Sequence, residues 1–151
     1  MTAFVDTSAL AKRYFLEDGS DEFEAWLADA IPATISRLAT VEFASVVQRR
    51  VRIGAVSSEH AERVECTFAA DVASGAISIP EMSPELYEHA CRLMRSVDVP
   101  LRALDALQLA SALASGARVM ATADRHLAAA SECVGLPVER FGLAKAQGAR
   151  V

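Results

Sequence analysis

The chain has few lysines and no long apolar run, and each shortage excludes a class of protein. Only Lys12 and Lys145 are lysines among its 15 basic residues, and the net charge of −5 argues against a protein that coats nucleic acid. No apolar run approaches the ~18–20 residues of a membrane span. Met1 leads directly into a strand-like segment, without a charged signal sequence. We therefore expect a soluble, cytoplasmic protein with no membrane association.

Cysteine and histidine are too scarce and too scattered for a zinc site. No Cys-x-x-Cys pair occurs, and the 3 histidines lie far apart. We expect Cys66, Cys91 and Cys133 to be reduced thiols in the core, without structural zinc. The glycine-rich signatures G-x-G-x-x-G and G-x-x-x-x-G-K-[ST] are also missing, which excludes the common dinucleotide and P-loop sites.

Strand-like and helix-like segments alternate along the 151 residues. This alternation predicts an α/β fold with a central, mostly parallel sheet of four or five short strands, covered by helices on both faces. Pro32 interrupts the segment Ile31–Ile35, which favours an edge or a strand end for it. We expect residues 1–141 to form one domain and residues 142–151 a C-terminal tail. The strands are predicted at Thr2–Val5, Ile31–Ile35, Ala76–Ile79, Arg118–Ala123 and Val138–Phe141.

Four acids interrupt otherwise apolar stretches: Asp6, Glu42, Asp105 and Asp124. Acids are rarely buried unless they are paired or bind a metal. Asp6 and Asp124 each follow a predicted strand, and parallel sheets bind ligands beyond the carboxyl ends of their strands. No cationic run lies near any of the four. If they converge, their oxygens would select Mg²⁺ or Mn²⁺.

Each acid also has a simpler explanation. Asp6 and Asp124 stand where helix N-caps are expected, and Asp105 could cap the helix after Pro100. Glu42 could be an ordinary acid in the first turn of a helix opened by Thr40. As a group, however, two carboxylates about 5 Å apart repel by roughly 3 kcal/mol at an effective dielectric of about 20. A converging group would therefore need a bound cation or retained protons.

Two other uses of an aspartate after the first strand fit poorly. A haloacid-dehalogenase phosphatase needs a second aspartate at the place where Ser8 stands. A phosphoacceptor receiver domain needs paired acids after that strand and a lysine after a late one, and the chain has only Lys12 and Lys145.

The order of the acidic segments resembles the PIN domain and, more narrowly, the VapC toxins of type II toxin–antitoxin systems. The resemblance runs from Phe4 to about Phe141. It implies an α/β/α sandwich and a Mg²⁺-dependent endoribonuclease, with Mn²⁺ able to substitute, that hydrolyses RNA with a metal-activated water. The matching segments are Val-Asp-Thr-Ser-Ala-Leu, Glu42, Leu-Arg-Ala-Leu-Asp-Ala-Leu-Gln-Leu-Ala and Thr-Ala-Asp-Arg-His-Leu.

The resemblance also implies roles for individual residues. Asp6 and Asp105 would be the principal catalytic metal ligands, and Glu42 and Asp124 would complete the catalytic acidic pocket directly or through water. Two hydroxyls, those of Ser8 and Thr122, occupy supporting positions.

The expected partners are an RNA substrate, a second copy of the chain in a homodimer, and a small VapB-like antitoxin. The first two predicted helices carry large apolar groups, which we expect to be partly exposed and to form a groove for the antitoxin. A housekeeping PIN nuclease of RNA maturation and a catalytically silent binding module are the alternatives. The groove residues are predicted to be Tyr14, Phe15, Phe23, Trp26 and Leu27, with packing in the core as the open alternative for Phe23 and Trp26.

Overall fold

The structure, a computed structural model, describes residues 2–143, so the predicted tail from residue 144 onward lies outside the described residues. This part of the chain contains five strands and seven helices in the predicted alternation. In chain order they are β1 Ala3–Val5, α1 Thr7–Tyr14, α2 Ser20–Ala30, β2 Ala33–Thr34, α3 Arg37–Arg52, α4 Ser58–Ala73, β3 Ile77–Ser78, α5 Pro84–Ser96, α6 Ala103–Ala114, β4 Val119–Thr122, α7 Arg125–Cys133 and β5 Val138–Arg140.

The strands form one sheet in the order β3-β2-β1-β4-β5, and every pair is parallel. β1 lies at the centre, where Ala3 aligns with Ala33 of β2 on one side and with Val119 of β4 on the other. The predicted parallel sheet of short strands is confirmed.

Side chains of the central strands alternate between two cores, one on each face of the sheet. Val5 and Ala121 belong to the core under the helices of the first half of the chain. Phe4 and Met120 belong to the core under α5, α6 and α7. This alternation is the period-two geometry of a strand. Because both faces are covered, the fold is the three-layer α/β/α sandwich that was expected.

The strand that follows Pro32 lies inside the sheet, so its predicted edge position is wrong. β2 pairs with β1 and β3, and the ladder begins at Ala33, whose N–H donates to the Ala76 carbonyl. Proline has no N–H to contribute, and it is tolerated because the paired residues begin after it. The alternative, a position at a strand end, is the one found.

The large apolar groups of the first two helices are mostly core residues, so the predicted exposed groove is wrong for them. Phe15, Phe23 and Leu27 are at most 5% exposed. Trp26 is partly buried, with its ring 5.5 Å from that of Phe141. The last strand leads into Phe141, which covers α2, a contact that no local sequence pattern indicates. Tyr14, also partly buried, packs on Phe43 and Phe68 of the neighbouring helices.

Two glycines allow the loop between α1 and α2 to touch the segment that follows β5. Gly19 and Gly142 have φ angles of 82° and 67°, a region that favours glycine. A Cβ on Gly19 would meet the Phe141 carbonyl carbon at 2.9 Å, and one on Gly142 would meet the Asp18 oxygen at 2.5 Å. The buried Lys12 ammonium donates to that same Asp18 oxygen. The two backbones therefore cross without room for side chains.

Cys66, Cys91 and Cys133 are unpaired, as expected, but all three are exposed, so their predicted place in the core is wrong. They lie on outer helix faces, where a single small apolar residue costs little.

Between residues 2 and 143, none of the helices combines the length and the apolar character that crossing a membrane requires.

Candidate active site

The carboxyl ends of β1 and β4 bring two of the predicted acids to the same edge of the sheet. Asp6 follows β1 directly, and Asp124 lies shortly after β4. Val5 aligns with Ala121, and the Asp6 N–H donates to the Ala121 carbonyl at 3.1 Å. The parallel pairing therefore places both acids where ligands of open α/β sheets bind.

Asp6 is a buried carboxylate that caps α1. Its Oδ1 accepts from the Ala9 N–H at 3.0 Å, and the Ser8 hydroxyl, 2.8 Å from Oδ1 and 2.9 Å from Oδ2, donates to the carboxylate. Burial raises the pKa of Asp6 to about 6, although the hydrogen bonds from Ala9 and Ser8 act in the opposite direction. Among the described residues no cation pairs with Asp6. The capping explanation is therefore correct, but it leaves the charge uncompensated.

The hydroxyls of Ser8 and Thr122 connect the ends of the two strands. Ser8 Oγ accepts from the Ala123 N–H at 2.8 Å, and Thr122 Oγ1 accepts from the Asp124 N–H at 2.9 Å. The two hydroxyl oxygens are 3.4 Å apart. Both side chains thus fix the backbone that carries the acids, while their part in catalysis stays a prediction.

Asp124 and Asp105 are joined by Arg102. Asp124 Oδ1 caps α7 by accepting from the N–H groups of His126 and Leu127, at 2.7 and 3.1 Å. Its Oδ2 accepts from Arg102 Nη2 at 2.9 Å, and Asp105 Oδ2 accepts from Arg102 Nε at 2.9 Å. The expectation concerned a cationic run near the acids, and the structure instead places a single cation, Arg102, between two of them. Asp105 is not a cap, since α6 begins at Ala103.

Glu42 is held by Gln108 of α6. Gln108 Nε2 donates to Glu42 Oε1 at 2.7 Å and to Thr7 Oγ1 at 3.2 Å. Burial raises the pKa of Glu42 above its ordinary value, and the nearby Asp105 carboxylate raises it further, against the hydrogen bonds from Gln108 and Thr7. The side chain lies beyond the first turn of α3, which begins at Arg37 rather than after Thr40, so that simpler explanation of Glu42 is wrong.

The oxygen donors of the four acids fit a hard divalent cation, although the acids do not surround a single position. Within residues 2–143 no three side chains of histidine, cysteine, aspartate or glutamate lie close enough together to hold one ion as they stand. The available donors are oxygens, and burial raises the pKa of both Asp6 and Glu42, so a cation would offset their desolvation. An ion bound by Asp105 and Asp124 would have to replace Arg102 as their partner.

An open cleft of about 700 Å³ runs along α3, and Glu42 is the one acid of the candidate site that lines it. Ser8 and Glu42 line it at one end, and Arg49 and Arg50 line it farther along. Arg50 is engaged by Glu17 and lies 4.2 Å from the centre of the Phe15 ring. Arg49 is exposed, so the cleft joins an acidic end to a cationic wall that suits a phosphate chain.

Sequence reasoning missed Arg102 and Gln108, and each left a signal. Arg102 stands one helical turn before Asp105, at the i,i+3 spacing of ion pairs on helices. Gln108 interrupts an apolar helix, and a buried amide must find hydrogen-bond partners. Neither signal identifies the second partner, because Asp124 and Glu42 reach these side chains only through the folded sheet.

Fold and site together define a three-layer α/β protein with acids at the carboxyl edge of a parallel sheet. The sequence model of the PIN domain family matches residues 3–132. The chain therefore belongs to the PIN domain family, as the acidic segments predicted. No curated protein sequence matches the chain at a significant level.

Solved structures of the same fold include toxins of toxin–antitoxin systems. VapC20 of Mycobacterium tuberculosis, described as a toxin that cleaves the sarcin–ricin loop, superposes with a TM-score of 0.66 at 21% identity, over 85% of this chain and 95% of that one. A chain of VapBC2 from Rickettsia felis, bound to promoter DNA, gives 0.65 at 15% identity, over 93% and 99%. FitAcB of Neisseria gonorrhoeae gives 0.62 at 14% identity, over 91% and 96%. At these identities the likeness concerns the fold.

Proposed function

We propose that this chain is a Mg²⁺-dependent endoribonuclease that acts as the toxin of a toxin–antitoxin pair. The observation that carries the proposal is the arrangement of Asp6, Glu42, Asp105 and Asp124 at one edge of a PIN-family sheet. Two of these acids are desolvated, and two share a single exposed arginine. Such an arrangement is costly for a protein that binds no cation.

Asp6 and Asp105 would hold the ion, and Glu42 and Asp124 would complete its surroundings. When bound, Mg²⁺ or Mn²⁺ activates water and neutralises charge that develops on a phosphate. Other side chains of the protein position the acids and contact the RNA. Ser8 fixes the Asp6 carboxylate, and the exposed Arg49 offers the cleft a contact for an RNA phosphate.

Toxin–antitoxin neighbours of the same fold support the partner part of the proposal. The Rickettsia felis neighbour is the VapBC2 assembly, and a further neighbour is a toxin–antitoxin complex from Klebsiella pneumoniae. We therefore propose a small VapB-like antitoxin, a homodimer and a cytoplasmic location. A housekeeping PIN nuclease would share the same site and lack the antitoxin.

Metal dependence tests the chemistry. Purified protein should cleave RNA with Mg²⁺ or Mn²⁺, stop in EDTA, and leave ends with a 5′-phosphate and a 3′-hydroxyl. Asp6→Asn is the variant of the site, and Asp71→Asn, which alters an acid on α4, is the matched control. Cleavage that persists in chelator would remove the metal mechanism. Ion binding without any cleavage would favour the silent binding module.

Co-purification tests the biological role. The product of the neighbouring gene should purify with this chain from the native host and suppress its cleavage of RNA. A chain that cleaves RNA but purifies without a small partner would be a housekeeping nuclease instead. Sequencing the 5′ ends of RNA cleaved in cells would then identify the target, which the chain does not encode in a readable form.

A further inference from the structure

Gln108 is a buried polar side chain on the helix that carries Asp105. It lies one turn beyond Asp105 on α6, so the two side chains share one side of the helix. Only 2% of Gln108 is exposed. Its Nε2 donates to Glu42 Oε1 at 2.7 Å and to Thr7 Oγ1 at 3.2 Å. One amide thus connects three helices, α6, α3 and α1, each of which carries or adjoins an acid of the site.

The Glu42 carboxylate is held in place by side chains, whereas the two capping acids are also held by backbone N–H groups. Asp6 and Asp124 accept hydrogen bonds from backbone N–H groups of the helices that they cap. Among the described residues, no backbone N–H donates to Glu42. Glutamate has more rotamers to lose than aspartate, so an unsupported carboxylate at this position would be mobile. Side-chain hydrogen bonds, first from Gln108 and then from Thr7, therefore determine where the Glu42 carboxylate points.

The same contact fixes the orientation of the amide. With Nε2 facing the Glu42 carboxylate, Gln108 Oε1 is buried and has no hydrogen-bond partner among the described residues. Turning the amide over would bring that oxygen against the carboxylate, with an acceptor facing an acceptor. The amide thus keeps its donor on Glu42 at the expense of an unpaired, buried acceptor.

We infer that Gln108 is a positioning residue of the proposed nuclease site and acts through Glu42 rather than on RNA itself. This inference rests on the proposed function, in which Glu42 completes the surroundings of the ion. The amide holds Glu42 Oε1 so that the carboxylate stays near Asp105. Side chains that hold a metal ligand in this way typically account for about 10- to 100-fold in metal affinity or activity.

A purely structural role for Gln108 predicts something different. If the amide only links three helices, its loss lowers the melting temperature and leaves ion binding unchanged in the folded protein. It would then act independently of Glu42, and the effects of changing both residues would add. Ion affinity and coupling to Glu42 therefore separate the two roles.

The experiment compares two variants of Gln108 with a matched control. Gln108→Met replaces the amide with an apolar group of similar length, and Gln108→Asn keeps the amide but withdraws it by one methylene. Gln48→Met is the control, because Gln48 is exposed on α3. The measurements are Mn²⁺ affinity by titration calorimetry, kcat and KM for RNA at saturating Mg²⁺, and the melting temperature.

Both Gln108 variants should weaken Mn²⁺ binding and lower kcat about tenfold or more, with KM little changed. The control should match the wild type. Glu42→Gln combined with Gln108→Met should cost no more than Glu42→Gln alone. Unchanged Mn²⁺ affinity in either folded Gln108 variant, or additive losses, would overturn the inference.

The two proposals fail in different ways. If the wild type binds Mn²⁺ but cleaves no RNA, the nuclease proposal is wrong, and the Mn²⁺ affinities alone still decide the role of Gln108. If Gln108→Met does not fold, Gln108→Asn gives the decisive affinity.

Discussion

Arg13 and Arg102 each lie between two acids, but only Arg13 belongs to a partly buried network. Arg13 donates from Nε and Nη2 to the two oxygens of Asp71, at 2.8 and 3.0 Å, and from Nη1 to Glu24 at 3.2 Å. The Tyr14 hydroxyl also donates to Asp71 at 2.6 Å. Hydrogen bonds from Arg13, and secondarily from Tyr14, hold the pKa of Asp71 below its ordinary value.

Arg102 makes one hydrogen bond to each of its acids, and 69% of its side chain is exposed. An exposed ion pair contributes little to stability because water and salt compete for both charges. The bidentate pair at Asp71 is better placed, since an Arg fork meets both carboxylate oxygens. The Arg13 network therefore contributes more to the stability of the fold, whereas Arg102 is, under the proposed function, the counter-ion that a bound metal would replace.

The largest expected difference between the two regions is in catalysis. Asp105→Asn should lower the rate of RNA cleavage on the order of 10³-fold, equivalent to about 4 kcal/mol of barrier, because a ligand charge is lost. Asp71→Asn, assayed well below its melting temperature, should cleave at the wild-type rate. Initial rates on one RNA at saturating Mg²⁺ provide the measurement. Equal losses in both variants would mean that the two regions do not differ in function.

The free energy of unfolding should respond in the opposite order, with the larger loss in Asp71→Asn. Asp71→Asn should lower the free energy of unfolding by about 1.5–3 kcal/mol, since hydrogen bonds from a charged donor are broken at a largely buried acid. Asp105→Asn should leave the metal-free protein as stable as the wild type or more so, because repulsion with Glu42 is relieved. Urea unfolding in EDTA checks both. A strongly destabilised Asp105→Asn would support a structural role for Asp105.

The pH dependence of stability should also identify the Arg13 network. Because the folded state lowers the pKa of Asp71 below 3.8, the unfolded chain binds more protons as the pH falls. The contribution of Asp71 is thus complete above about pH 5 and is lost as the pH falls through its folded pKa. The groups that face Asp71 are Arg13 and Tyr14, with Glu24 reached through Arg13.

Urea unfolding between neutral and acid pH measures this effect. The stability difference between the wild type and Asp71→Asn should be constant near neutral pH and should shrink in acid. A difference that grows as the pH falls would contradict the assignment of the network to Asp71.

The smallest expected effect concerns the exposed arginine. Arg102→Gln should strengthen Mn²⁺ binding only modestly, by about twofold to fivefold, because an exposed ion pair that water already weakens no longer competes with the ion. The control is Arg95→Gln, which removes the same charge from an exposed position on α5. Calorimetric titration resolves a change of this size. Weaker Mn²⁺ binding in Arg102→Gln alone would show that the guanidinium helps to hold the ligands.

Local chemistry explains what the sequence could predict. Strand propensity followed by a capping aspartate placed Asp6 and Asp124 at the carboxyl ends of β1 and β4, and the chain order of the acids indicated the family. Alternation of strands and helices was enough to predict the parallel sheet, since each segment carried its own pattern.

Contacts between distant segments explain what the sequence could not predict. The burial of Phe23 depends on Phe141, and the neutralisation of Asp124 depends on Arg102. The position of Glu42 depends on Gln108 in the same way. Arg102 and Gln108 carry a local signal, but the sequence around them does not indicate which distant residue each one meets. Periodicity reports which face of a helix is apolar, but not what covers that face.

The crossing of Gly19 and Gly142 has a consequence for synthesis of the chain. Because Gly142 follows β5, the corner between α1 and α2 is complete only when this late segment has left the ribosome. Until then β4 is an edge strand with unpaired backbone groups, and Phe23 and Trp26 lack the ring of Phe141. A nascent chain that stops before residue 138 is therefore open to aggregation along β4.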